Sequence, residues 1–287
     1  MQFGLSEEQI LLLDNVNRFL DDNSPLDRVR LYADGGDDAD IWAGLAELGV
    51  PALLVPEAQG GIGLNPLDAA IVAESLGAHI TPSPFLGTAV MAPTALVASG
   101  GKYDDLLAEI AAGAHRVGIA FSEAIKRRND ARVEARDSRL FGKSLFAFDA
   151  DADSYLVADQ NKHLYLVAAQ DPGLTRTHLT TVDKTRRTVE LYYDDVAAQC
   201  ISTDVGVFER VLDIGRVAIA ADTLGAAQNM LDQAVEYAKQ REQFNRPIGS
   251  FQAVKHMCAE MAAQLEPCRS MVWFAGHALA ELPKEAR

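Results

Sequence analysis

The feature that most restricts this chain lies near its end. Phe251, Val254, Cys258, Met261, Leu265, Cys268, Val272, Ala275, Leu279 and Leu282 recur at alternating spacings of three and four. That period belongs to a long helix with one apolar stripe packed antiparallel to another. A second 3.6-residue pattern precedes it, with Val207, Val211, Ile214, Ala218, Ala221 and Leu224 on one face, and it runs on to Arg241. The linking segment, REQFNRPIGSFQ, carries Pro247 and Gly249, the residue types of a turn. The two helices therefore form a hairpin whose turn is expected at Pro247 and Gly249. One hairpin cannot bury both stripes, so further helices are needed, from this chain or from another subunit. Oligomerisation is expected.

Upstream the pattern divides into two more regions. Ser6, followed by Glu7, Glu8 and Gln9, opens an amphipathic run as an N-cap does. Helical periods return in IWAGLAELGV, which stops at Gly49, and in AAIVAESLGA, restarted by Asn65 and Pro66. From about residue 115 the period changes to two in RVGIAF, SYLVA, HLYLVAA and RTVELYY, with turns marked by Asp, Asn and Gly. The expected fold is mainly α with a central β domain. It comprises an N-terminal helical domain (1–113), a middle antiparallel β-barrel or sandwich (114–203) and a C-terminal helical bundle (204–287) of which two long helices are present.

Composition narrows the partners. The formal net charge is −15, so the phosphate-neutralising charge that drives nucleic-acid binding is missing and no nucleic-acid partner is expected. An anionic ligand would need a local cluster of cations or backbone N–H groups. The three cysteines, Cys200, Cys258 and Cys268, form no CxxC pair, which points to a reducing, cytoplasmic setting. No apolar run is long enough for a membrane span, MQFGLSEEQ does not read as a signal peptide, and the histidines lack metal-ligand spacing. No membrane association and no metal are expected.

Several stretches resemble the acyl-CoA dehydrogenase family, in order and over nearly the whole chain. WAGLAELGVPALLVPEAQGGIGL is similar to that family's N-terminal helix and loop, IAFSEA to the start of its first β strand, and YDDV to the close of its β domain. REQFNRPIGSFQAVKHMCAEM is the closest match. The resemblance implies FAD, an acyl-CoA thioester substrate and an electron-transfer acceptor. It also implies that Arg241 would hold the pyrophosphate, with Phe244 and Gln252 against the cofactor of a neighbouring subunit. A bidentate guanidinium suits a pyrophosphate better than an ammonium does. Ser122 and Phe146 fall where the family contacts the flavin.

The match breaks at the chemistry. Family members carry a glutamate base that removes the α proton of the thioester in a water-poor site. In one branch the matching position is Gly215, and glycine cannot be a base. In the other the base lies in a segment that would follow residue 287, with the rest of the bundle. AIKRRNDA replaces the family's small-residue loop after Glu123; Lys126, Arg127 and Arg128 there are candidates for a CoA phosphate or for a solvated surface. Phe148 stands where a hydroxyl donor is expected. The chain thus resembles the base-lacking subunit of α2β2 acyl-CoA dehydrogenases of bacterial steroid degradation, paired with an unlike subunit as a heterotetramer. Two alternatives stay open: a self-sufficient homo-oligomer with a displaced base such as Glu123, and a non-catalytic structural partner. A flavin monooxygenase on the same fold is a minor one.

Overall fold

The computed structural model describes residues 4–126 and 131–282. Its helices are α1 (Glu7–Asn23), α2 (Leu26–Ala33), α3 (Ala39–Glu47), α4 (Pro66–Ala78), α5 (Ala92–Val97), α6 (Asp104–Ala111), α7 (Ser122–Ile125), α8 (Val205–Gln240) and α9 (Gln252–Glu281), with a π-helix at Phe85–Met91. The strands are β1 (Val117–Ala120), β2 (Val133–Arg136), β3 (Arg139–Phe148), β4 (Ser154–Ala158), β5 (Leu164–Ala168), β6 (Leu174–Leu179), β7 (Thr188–Ala197), β8 (Gln199–Ser202), β9 (Glu242–Gln243) and β10 (Arg246–Pro247). The helices of the N- and C-terminal regions and the central sheet follow the sequence expectation. Among the described residues, no helix is long and apolar enough to cross a membrane, and no cluster of side chains has the makings of a metal site.

Two compact units organise these elements. The first comprises Met1–Leu26, Asn65–Thr81 and Val217–Arg287. Its centre is α4, whose residues from Asp68 to Gly77 are buried apart from Glu74. Asn65 and Asp68 form a capping box at the start of α4, and Ser6 and Gln9 form one at the start of α1. The backbones of α4 and α8 touch because two glycines face each other's carbonyls. A Cβ on Gly77 would lie 1.9 Å from the Asp222 oxygen, and one on Gly225 would lie 1.8 Å from that of Glu74. Gly276 brings α9 close to Leu67, whose Cα would lie 2.9 Å from a Cβ there. Glu74 then pairs with Arg269 at 3.0 Å and accepts from the Trp273 indole at 3.4 Å. In α9 the buried residues are Val272, Gly276, Ala278 and Leu279, while the apolar stripe upstream of them is half-buried or exposed, Met261 at 43%.

The second unit, Asp27–Leu64 with Pro82–Arg216, is built on one eight-stranded sheet ordered β6-β7-β3-β1-β4-β5-β8, with β2 paired to β3. Its core is Tyr155, Val157, Val167, Val189, Leu191 and Tyr193 with smaller neighbours. The wholly antiparallel expectation is corrected at one place: β1 runs parallel to β4. The reason is topological. The chain turns back along β3, antiparallel to β1, then reverses again into β4 on the other side of β1. Such a parallel pair needs a long crossover, supplied here by β2 and β3.

Candidate functional site

The predicted site residues fall into two groups. In the first unit lie Arg241, Phe244 and Gln252. The reversal expected at Pro247 and Gly249 occurs earlier. β9 and β10 pair through Arg246 with Gln243 and Pro247 with Glu242, so Phe244 and Asn245 alone make the turn. Both have positive φ, 54° and 58°, the backbone of a type I′ turn, whose right-handed twist suits a two-residue loop. Asparagine takes that conformation readily; phenylalanine is strained by it. Pro247 is instead a strand residue. Gly249 lies in the following 3₁₀ turn, where a Cβ would stand 2.9 Å from the Ala238 oxygen. Ile248 N–H donates to the Arg241 carbonyl at 2.7 Å and closes the loop.

The turn lifts its side chains clear of the chain's own packing. Phe244 is 86% exposed, and Arg241 and Gln252 are exposed as well, Gln252 as the first residue of α9. Phe251 makes the base of the tip: it meets Phe244 edge-on at 6.0 Å between ring centres, and the Arg246 guanidinium lies 4.0 Å over its ring. Arg246 therefore joins Arg241 as a second cation at this tip. Such a tip offers an aromatic face and two guanidinium groups to an anionic, aromatic ligand.

Ser122, Glu123 and Phe146 belong to the second unit. Ser122 and Glu123 open α7 directly after β1. The Ser122 hydroxyl reaches the Leu145 carbonyl and lies 2.7 Å from the Glu123 carboxylate, whose other oxygen accepts from Leu145 N–H at 3.0 Å. Glu123 is buried, and what it holds is a β-bulge. Between Ser144 and Ala147, β3 carries one residue more than β7 opposite it, and Phe146 sits there at φ 54° and 46% exposure. Bulges aim side chains next to sites, and this one turns an aromatic ring outward. Phe148, by contrast, is half-buried. Of the basic loop, Lys126 is exposed; Arg127 and Arg128 lie outside the described residues.

Gly215, on the part of α8 that belongs to the second unit, faces Met91. A Cβ at position 215 would lie 2.8 Å from the Met91 sulfur. Sequence reasoning missed Met91, Arg246 and the bulge. Only Asn245, tolerant of positive φ, signalled where the turn would fall.

Family models for the acyl-CoA dehydrogenase N-terminal and C-terminal domains match residues 6–113 and 205–286. Acyl-CoA dehydrogenase IpdE2 of Mycobacterium tuberculosis is 34% identical over 258 residues, 88% of this chain and 69% of that protein. Among solved structures, the ChsE4-ChsE5 complex from Mycobacterium tuberculosis superposes with a TM-score of 0.87 at 25% identity, over 99% of this chain and 80% of the matched one. A variant of the Tcur3481-Tcur3483 steroid ACAD gives 0.83 at 28% identity, over 95% and 78%.

Proposed function

The chain belongs to the acyl-CoA dehydrogenase family, and on that premise we propose that it is the base-lacking subunit of a heteromeric, FAD-dependent enzyme that desaturates an acyl-CoA thioester between its α and β carbons. The observation that carries this reading is the hairpin tip. A phenylalanine 86% exposed at positive φ, with only an edge-on contact to Phe251 to offset the strain, is poorly explained by its own chain, and a residue lent to a neighbour's cofactor projects in this way. The residues fit the group. Arg241 and Arg246 offer fixed donor forks to a pyrophosphate, Phe244 an apolar face, and Gln252 a hydrogen bond from the start of α9. When bound, FAD supplies an acceptor for the hydride that leaves the β carbon. In this reading the α proton goes to a carboxylate on the partner, position 215 being glycine.

Glu123 is a poor alternative base. Its two oxygens are engaged by Ser122 and Leu145, and its buried carboxylate serves to hold the bulge that presents Phe146. The similarity to a steroid ACAD and to the two-protein ChsE4-ChsE5 complex favours a steroid-derived acyl group and an unlike subunit in a heterotetramer. A separate electron-transfer acceptor would take up the two electrons removed from the substrate. The test is to purify this chain alone and with its candidate partner, and to measure bound FAD and acyl-CoA-dependent dye reduction. Activity only in the mixture, lost with FAD on Arg241→Ala, is the expected result. Full activity with one FAD per chain from this polypeptide alone would overturn the reading. A colourless, inactive complex would point to the structural partner instead.

A further inference from the structure

Met91 is 4% exposed and stands at the end of a constrained stretch of backbone. It closes the π-helix Phe85–Met91, in which Ala92 N–H reaches back five residues to the Gly87 carbonyl. Such widened turns are rare and concentrate at functional sites. This one is tied to β1 at two consecutive residues. Thr88 Oγ1 accepts from Val117 N–H at 2.9 Å, and Gly87 has no Cβ, which would strike the Val117 carbonyl at 2.3 Å. Held so, Met91 lies along Gly215. From the place a Cβ would take there, its Sδ is 2.8 Å away, its Cε 3.1 Å and its Cγ 3.3 Å. Even an alanine at 215 would need Met91 to move. A longer side chain, which starts from the same Cβ, would have to displace the thioether as well.

Resting on the reading of position 215 given above, we propose that Met91 is a plug: it fills the space in front of Gly215 that a catalytic side chain would need. The chain's own half-site is then closed as well as lacking a base. Replacing Gly215 by an acid would not restore it, since two positions, contributed by different elements, have to change together.

The experiment uses the full chain in complex with its partner and reads access to position 215. An introduced thiol, Gly215→Cys, is alkylated with iodoacetamide in the presence and absence of Met91→Ala. Peptide mass spectrometry separates it from Cys200, Cys258 and Cys268. Alkylation about tenfold or more faster with Met91→Ala is expected, because a packed side chain otherwise admits reagent only on local opening. Equal rates would overturn the plug. Should the thiol variant fail to fold, thermal midpoints of Gly215→Ala, Met91→Ala and the pair decide the matter. Gly215→Ala should lower the midpoint in the native background and raise it slightly in the Met91→Ala background, where only the gain in helix propensity remains. Additive losses would overturn the proposal, since residues in contact do not add. Neither readout depends on activity. Catalysis by this chain alone would sink the base-lacking reading and leave the packing result standing.

Discussion

Asp149 is the carboxylic acid whose ionisation the fold opposes most clearly. Burial pushes its carboxyl up to about 6, with Arg116 acting against the shift and Asp38 and Asp151 adding to it. One oxygen accepts from Asp151 N–H at 3.2 Å; the other has no hydrogen-bond partner among the described residues. The folded state therefore holds the proton more tightly than the unfolded chain does. For such an acid, stability is greatest below the unfolded value of about 4 and is lost as pH rises through the folded value near 6, by about 3 kcal/mol. Asp149→Asn, tolerated at its φ of 65°, should be the more stable form at pH 7.5 and lose that advantage at pH 4, as read by urea unfolding at both. Glu123 obeys different logic. Glu123→Ala strands the half-buried Leu145 N–H and should cost about 1–3 kcal/mol by thermal unfolding. In the assembled enzyme Glu123→Gln should leave turnover largely intact, and a loss of a thousandfold would make Glu123 the base after all.

At the scale of elements, the helix crossing and the hairpin tip answer to opposite demands. The α4–α8 contact exists because Gly77 and Gly225 let carbonyls approach to distances no side chain permits. Gly225→Ala should therefore destabilise by about 3 kcal/mol or more, measured by denaturant midpoint, because neither backbone can retreat. The tip stores strain instead. Phe244→Gly relieves the positive φ and should raise stability by about 1 kcal/mol. The same change should lower the FAD retained by the assembled complex, read from its flavin absorbance per chain. Stability gained with cofactor lost would show that the phenylalanine is kept for its ligand.

Considered as a whole molecule, the chain leaves apolar surface that its own elements do not cover. Met257, Met261, Met271 and Phe274 on α9, with Met230 and Tyr237 on α8, are exposed. Patches of that kind mark interaction surfaces. A charge there should block assembly while leaving the fold intact. Met261→Glu is expected to keep its helical circular dichroism and to sediment as a single chain when mixed with the partner, whereas the native chain forms the larger complex. The acidic chain, at a net charge of −15, makes non-specific association with polyanions unfavourable.

The sequence by itself determined the elements and their kinds, since hydrophobic period is local: the 3.6-residue stripes became α8 and α9, the period-two runs became the sheet, and Ser6 and Asn65 capped the helices they precede. The segment REQFNRPIGSFQ could be picked out because its residues are close neighbours along the chain; the cofactor roles of Arg241, Phe244 and Gln252 are part of the proposal. What only the tertiary structure decided depends on residues far apart along it. The turn fell at Phe244 and Asn245 because β9–β10 pairing selects a positive-φ pair. The bulge at Phe146 arose from the register of β3 against β7, clamped by Glu123 some twenty residues earlier. Met91 and Gly215 share no local pattern at all. They meet because a π-helix tied to β1 carries one against the other, and close packing, unlike periodicity, cannot be read from either residue alone.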